Sequence, residues 1–370
     1  MKHLVMLGAG HAHVHMLSTL AAQPLAGVQI TLVAPYPRQL YSGMVPGFVA
    51  GHYALEDCVI NLAPWLAHSG VQWLQRSAVA LDADARTVTL DDGSLMAFDL
   101  LSVNTGAVQN REKIEQMMPG AREHALFVRP IEAFGALWPQ VVALAGTKAL
   151  RVAVLGGGAA GIELACAVAH RLPSSSVTLV AGDALVGANY SDKVQARIKR
   201  ALKKRHISVI QEQATGISVA EVALGNGGQL ACDVPLMAIG AQAPSWLQGS
   251  ALALDKQGFI AVDEFQRSTS HPAVFAAGDV SSRVDRPVAR SGVYAVRAGV
   301  PLAANLRAVL TGEEPNPYIP QTKTLNLLAC GEKYAIASWG GWSAEGKWVW
   351  WLKDRIDRGF IQKYSGPAQP

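Results

Sequence analysis

The sequence predicts an α/β fold made of two parallel-sheet units in tandem, followed by a short C-terminal segment of a different kind. Three observations carry this expectation. The chain opens with an apolar run, His3–Leu7, that ends in Gly8-Ala9-Gly10 and passes into a helix-compatible stretch. The same order returns at Val152–Glu163, VAVLGGGAAGIE, where Gly156, Gly158 and Gly161 complete a GxGxxG pattern. The second strands keep step too: Gly8 maps to Gly156, 148 residues on, and Val33 to Val180, 147 on. A strand, a glycine turn and a helix are what a dinucleotide-binding βαβ unit needs. Without a Cβ the first glycine makes the tight turn and the second admits a pyrophosphate to the backbone. The helix N-terminus then supplies free N–H groups and a partial positive charge.

Composition narrows the class. At 370 residues there is room for two or three domains, and 50% hydrophobic against 16% charged residues suits buried parallel strands. A net charge of +4, spread along the chain, does not point to nucleic acid. Cys58, Cys166, Cys232 and Cys330 lie far apart with no CxxC, which argues for a reducing, cytoplasmic setting and against a zinc site or a disulfide framework. Lys2 before an apolar run imitates a signal peptide, but Gly8, Gly10 and three histidines break the run.

In order along the chain, the first unit runs strand, turn and helix to about Ala22, then a strand at Val28–Val33. That strand ends in Ala34, where a ribose-binding acid usually stands. The stretch YPRQLYSGMVPGFVAGHY reads as irregular, a cofactor-lining loop whose Met44, Val45, Phe48 and Val49 pack on something flat. Val71–Leu81 supplies one or two strands, Thr87–Leu90 and Leu95–Phe98 a hairpin, and Leu100–Val103 a buried strand ending in Asn104-Thr105-Gly106. A linker around Pro119-Gly120 and a helix near Ile131–Leu144 precede the second unit, whose second strand is Val177–Val180. The basic helix Asp192–His206 reads as a solvated face. Val234–Gly240 and Ala273–Asp279 are further strands with glycine endings, and a helix over about Gly292–Leu310 closes the block. Five of nine tryptophans follow residue 338. There Glu345-Gly346 reads as a turn between a strand, Ala335–Trp339, and a helix, Trp348–Tyr364, with Trp348, Leu352, Ile356, Phe360 and Tyr364 on one face.

With these five motifs in hand, the chain to about residue 312 resembles the two-dinucleotide-binding flavoprotein reductases, in particular the type II NADH dehydrogenase and sulfide:quinone oxidoreductase branch. The YSGMVPGFVAGHY loop and the GWSAEGKWVWWLKDRIDRGF tail are similar to the flavoprotein module fused to selenide, water dikinase in some bacteria. The resemblance implies two Rossmann-like domains. Residues 1–118 and 241–312 would bind FAD, 119–240 would bind NAD(P)H, and 313–370 would be an interface or membrane-associating segment. It implies FAD contacts at Gly8, Gly10, His11, Ala12, Arg38, Pro46, Val79, Thr105, Gly106, Gly278, Asp279 and Gly292. For the nicotinamide dinucleotide it implies Gly156, Gly158, Ala159, Ala160, Gly161, Glu163 and Gly240. A helix starting near Ser291-Gly292 would aim its positive end at the flavin pyrimidine ring.

The resemblance implies hydride transfer from NADH or NADPH to the flavin and onward electron flow to a second acceptor, with a quinone as one candidate. Its rivals are a flavin-dependent sulfur- or selenium-compound oxidoreductase that does not use NAD(P)H, and a non-enzymatic flavoprotein module. Ala181 leaves NADH and NADPH undiscriminated, with Asp183 a substitute acid. No CxxxxC pair lies near residues 41–46, so disulfide reduction is not expected; Cys166 packs, and Cys330 has no evident partner, though it remains a redox candidate near the flavin. Glu163 reads equally as a catalytic or an orienting acid. His11, His13 and His15 imitate a metal cluster, but the glycine turn already accounts for the segment. For the tail, membrane anchor, dimer interface and flavin lid stay open, and the basic polar face favours the membrane.

Overall fold

A computed structural model describes residues 1–367. In the first unit β1 (Lys2–Leu7), α1 (His11–Ala22) and β2 (Val28–Val33) form the βαβ opening. A small antiparallel pair follows, β3 (Arg38–Leu40) with β4 (Val59–Asn61), enclosing the short α2 (Val45–Val49) and leading to α3 (Ala63–Ser69). Then come β5 (Gln72–Leu74), the meander β6 (Ala78–Asp82), β7 (Thr87–Leu90) and β8 (Leu95–Ala97), and β9 (Leu100–Val103). The short α4 (Arg111–Met117), α5 (Ala121–His124) and β10 (Leu126–Phe127) occupy the expected linker, ahead of α6 (Ile131–Ala145).

The second unit repeats the plan. β11 (Arg151–Leu155), α7 (Ala159–Arg171), β12 (Ser176–Val180), α8 (Asp192–Lys204) and β13 (Ser208–Ile210) lead into a second meander. That meander is β14 (Ala214–Ile217), β15 (Glu221–Leu224) and β16 (Gln229–Ala231), and β17 (Val234–Met237) follows it. The chain then returns to the first unit with β18 (Ile260–Val262), β19 (Val274–Ala276), β20 (Ser281–Arg283), α9 (Gly292–Arg297) and α10 (Gly299–Thr311). The tail is an antiparallel sheet, β21 (Leu325–Ala329), β22 (Ala335–Trp339) and β23 (Trp342–Gly346), closed by α11 (Lys347–Lys363).

The two main sheets have orders β19-β9-β1-β2-β5 and β10-β17-β11-β12-β13, and every pair within them is parallel. Both faces of such sheets are covered, so Leu4–Leu7 and Val152–Leu155 read as continuous apolar runs and are buried. The order brings Gly8 and Asn104-Thr105-Gly106 to the same sheet end, and β19 adds Gly278 and Asp279 beside them.

Several expectations are corrected. The 36–53 stretch is not irregular: it holds β3 and α2, and Val45, Phe48 and Val49 pack on α7's core cluster rather than on a flat ligand. The helix expected over 292–310 breaks at Ala298, which brings Gly299 against α1; a Cβ there would lie 3.1 Å from Ala12 Cα. The tail hairpin turns at Gly340-Gly341, with Gly340 at φ +59°, while Glu345 and Gly346 lie within β23. Nor is α8 simply solvated, because Arg197 and Arg200 reach Glu345 of β23 at 2.6 and 2.8 Å.

The face of α11 is corrected as well. Val349, Trp350, Lys353 and Asp357 are buried, whereas Trp348, Trp351 and Ile356 are 55, 56 and 45% exposed. A stripe of every fourth residue drifts by about 40° per step on a 3.6-residue helix. Trp348 therefore starts on the outer side, and Tyr364 ends on the inner one. Lys353, a member of the basic polar face by sequence, lies inside, because Asp357 sits one turn on and pairs with it at 2.7 Å while the Gly43 carbonyl accepts a second bond.

Candidate functional site

The sheet end of the first unit opens into a cavity of about 640 Å³. Its floor is the glycine turn. Gly8 takes φ +82°, and a Cβ there would lie 2.6 Å from Thr105 Cα; one on Gly10 would lie 2.3 Å from Asn104 Oδ1. Asn104 organises this end. Its Oδ1 accepts the N–H groups of Ala12 and His13 at 3.0 and 3.2 Å, and its Nδ2 donates to Ala277 O at 2.6 Å. One side chain thus caps α1 and ties β9 to β19.

His13 stands where the third glycine of the pattern would be, and it is fully buried. Burial pulls its pKa down to about 4, so the ring is neutral at pH 7. Nδ1 faces the Gly8 carbonyl and must therefore donate; Nε2 then accepts from the Ser102 hydroxyl at 2.7 Å. In the second unit no such bridge exists, and a Cβ on Gly161 would lie 1.8 Å from Gly156 O. The same architectural problem, how close helix and strand approach, has two solutions in one chain. The neighbouring histidines point elsewhere: His11 to Gln39 at 2.9 Å and against Tyr41 and Phe360, His15 to the Tyr364 hydroxyl at 3.0 Å.

Of the residues expected to contact FAD, Gly8, Gly10, His11, Arg38, Thr105, Gly106, Gly278, Asp279 and Gly292 line this cavity. Three do not. Ala12 is buried with its N–H held by Asn104, Pro46 is buried within α2, and Val79 faces solvent while Arg76, Ser77 and Ala78 line the wall. The wall also holds residues that no motif marks. Arg129 bonds the Ala107 carbonyl at 2.8 Å and meets Asp279 at 3.4 Å. Arg290 stacks 3.5 Å above the Phe259 ring and pairs with Asp255 at 2.9 Å. Five arginines, residues 38, 76, 111, 129 and 290, line the cavity against two acids, Glu132 and Asp279. That balance suits a pyrophosphate.

Gln39 and Glu132 also line the wall, with their Oε1 atoms occluded inside it and without a hydrogen-bond partner among the described residues. With the glycine cradle and the cationic wall, these residues fit FAD.

The second turn is more open. Gly156 takes φ +132° with Ala238 O 2.5 Å from its would-be Cβ, whereas Gly158, the N-cap of α7, has nothing within 4 Å. Ala159 and Ala160 begin that helix, and Gly240 is likewise unobstructed. Asp183 is engaged by the Gln213 side chain. Glu163 points across to β21, accepting the Ala329 N–H at 2.8 Å, and burial pushes its pKa up to about 7. The Cys330 thiol donates to the Leu328 carbonyl at 3.6 Å and lies beside Cys166, both fully buried where α7 packs on β21, and the Cys166 thiol and burial hold it well above the usual thiol range. Neither lines the cavity.

Over residues 2–299 the sequence matches the family described as pyridine nucleotide-disulphide oxidoreductase. The chain belongs to that family. An NADH dehydrogenase-like protein of Mycobacterium tuberculosis is 29% identical over 246 residues, 62% of this chain and 60% of the relative's length. The chain thus spans less than two thirds of that relative. The ferredoxin–NAD(+) reductase component of the p-cumate 2,3-dioxygenase system of Pseudomonas putida is 29% identical over 76% of this chain and 68% of its own. The fold is that of the sulfide:quinone oxidoreductase of Aquifex aeolicus, with a TM-score of 0.80 at 17% identity over 99% of this chain and 92% of that one.

Proposed function

We propose that this chain is an FAD-dependent NAD(P)H oxidoreductase of the type II NADH dehydrogenase and sulfide:quinone oxidoreductase branch, with a quinone as candidate acceptor. The observation that carries the reading is the pair of glycine turns, one beneath a cationic cavity and one open at the head of α7. Bound FAD would supply the hydride-accepting chemistry, so the protein's share is position and field. Asn104 and the glycines hold the turn, Arg129 and Arg290 set positive charge at the wall, and Glu163 fixes α7 against the C-terminal sheet. The domain division into 1–118 with 241–312, 119–240, and 313–370 follows this reading, since β19 joins the first sheet from beyond the second. The likeness to the module fused to selenide, water dikinase rests on the loop and tail sequences alone.

Among the described residues no helix is long and apolar enough to cross a membrane. The exposed indoles of Trp339, Trp342, Trp348 and Trp351 are the surface on which peripheral lipid contact, or a second subunit, would rest. Turnover of the purified protein with NADH or NADPH and a soluble quinone tests the activity; no oxidation of either nucleotide with any acceptor rejects it. Co-sedimentation with anionic liposomes, lost in Trp348→Ser/Trp351→Ser, tests the surface. A wild type that ignores such liposomes at low salt rejects the lipid contact.

A further inference from the structure

On the far side of the second sheet β13 is a terminal strand. It pairs with β12 through Ser208, Val209 and Ile210, and no strand takes its other edge among the described residues. Beside it, between α8 and the 185–186 loop, runs a groove of about 590 Å³, apart from the cofactor cavity. Its apolar floor includes Leu185, Leu202 and Val209; Leu185 is 51% and Val209 44% exposed. Its rim carries Lys199, Lys203 and His206, and no acid among the described residues lines it. The ion pairs of α8 belong to Arg197 and Arg200, which turn to Glu345.

Lysines beside an edge strand guard against pairing with another copy, and cations in a last helical turn complement its dipole. Neither role explains an apolar floor left uncovered beside an unpaired backbone. We propose that this edge takes an extended acidic segment of a partner protein as a sixth strand. Main-chain groups of the segment bond β13. Val209 shares the α8 face of the sheet with its register partner Leu179, so on that face apolar side chains of the segment cover Leu185 and Val209 while acids two residues along meet Lys199, Lys203 and His206. A second copy does not suit the edge, because two-fold pairing would set like charges of α8 against each other.

The probe is a fluorescein-labelled peptide of Val-Thr-Glu-Thr repeats, which presents Val and Glu in turn on one face of a strand, read by anisotropy on the flavin-loaded full chain. Two control peptides carry Lys for Glu, or Pro at alternate positions. The expected result is saturable binding that weakens about tenfold as salt rises from low to moderate, and about tenfold again in Lys199→Glu/Lys203→Glu. That variant should keep its flavin and its rate of reduction by NAD(P)H. The lysine peptide should not bind, and the proline peptide should lose most affinity because it lacks the ladder donors. No binding by the wild type, equal binding by the double variant, or equal binding of the proline peptide each overturns the proposal. So does binding of phosphatidylglycerol vesicles through these lysines without peptide binding, which assigns the face to lipid. A wild-type dimer abolished by Val209→Asp assigns it to a second copy, with the same consequence.

Discussion

Replacing Gly158 separates the two nucleotide sites. Its backbone, φ −79° and ψ −177°, is extended and open to any residue, and a Cβ there meets nothing within 4 Å. Gly158→Leu should therefore change folding stability by no more than about 0.5 kcal/mol, as surface substitutions do. The new side chain nevertheless stands before the first N–H groups of α7, where a dinucleotide pyrophosphate would lie. Displacing it removes two charge-assisted hydrogen bonds at about 1.5 kcal/mol each, roughly 3 kcal/mol together and more than a hundredfold in NAD(P)H affinity. Gly161→Ala is the contrasting case: a Cβ 1.8 Å from Gly156 O must shift the turn itself, at about 1–3 kcal/mol of stability. Denaturant unfolding, flavin content and the concentration dependence of anaerobic reduction read the three quantities separately. The reasoning is refuted if Gly158→Leu is reduced as readily as the wild type, or if it loses flavin and nucleotide binding together.

Three further outcomes follow from the geometry. Asp279→Ala should lower FAD retention on gel filtration and leave Arg129 without its acid; full retention would remove Asp279 from the site. His13 is neutral when folded, so its contribution is complete above pH 6.5 and is lost as pH falls toward 4, about 2 kcal/mol by pH 5. Glu163, raised to about 7, acts with the opposite sign but equally in both proteins, so urea unfolding at pH 7.5 and 5 should show His13→Asn less acid-sensitive than the wild type; equal sensitivity contradicts the buried neutral ring. All four cysteines are buried, and burial pushes Cys58 up to about 12, so a thiol reagent should label none in the native flavoprotein. Rapid labelling of Cys330 would reopen the redox reading.

What was legible in the sequence was whatever local pattern dictates. Glycines that cannot carry a Cβ, and apolar runs that must be buried on both faces, mark both βαβ units and the strands that end at the cavity. Residues that act through distant contacts were not legible. His13 breaks the glycine pattern, and only Gly8 O and Ser102, 89 residues on, explain it. Arg129 and Arg290 reach the cavity from segments with no motif, steered by Asp279, Asp255 and Phe259. The thiol pair joins α7 to a strand more than 150 residues later, and spacing carries no trace of it. On α11 the apolar spacing was visible, but its drift around the helix and the Lys353–Asp357 pair decided which side turned inward.

Anaerobic mixing of the FAD-loaded protein with NADH or NADPH, followed by visible flavin absorbance, tests the central claim most directly. Full bleaching by one stoichiometric nucleotide in the wild type, together with slowed bleaching in Gly158→Leu at unchanged flavin content, is the predicted result. A chain that folds without taking up FAD, or a bound flavin that neither nucleotide reduces, would contradict it.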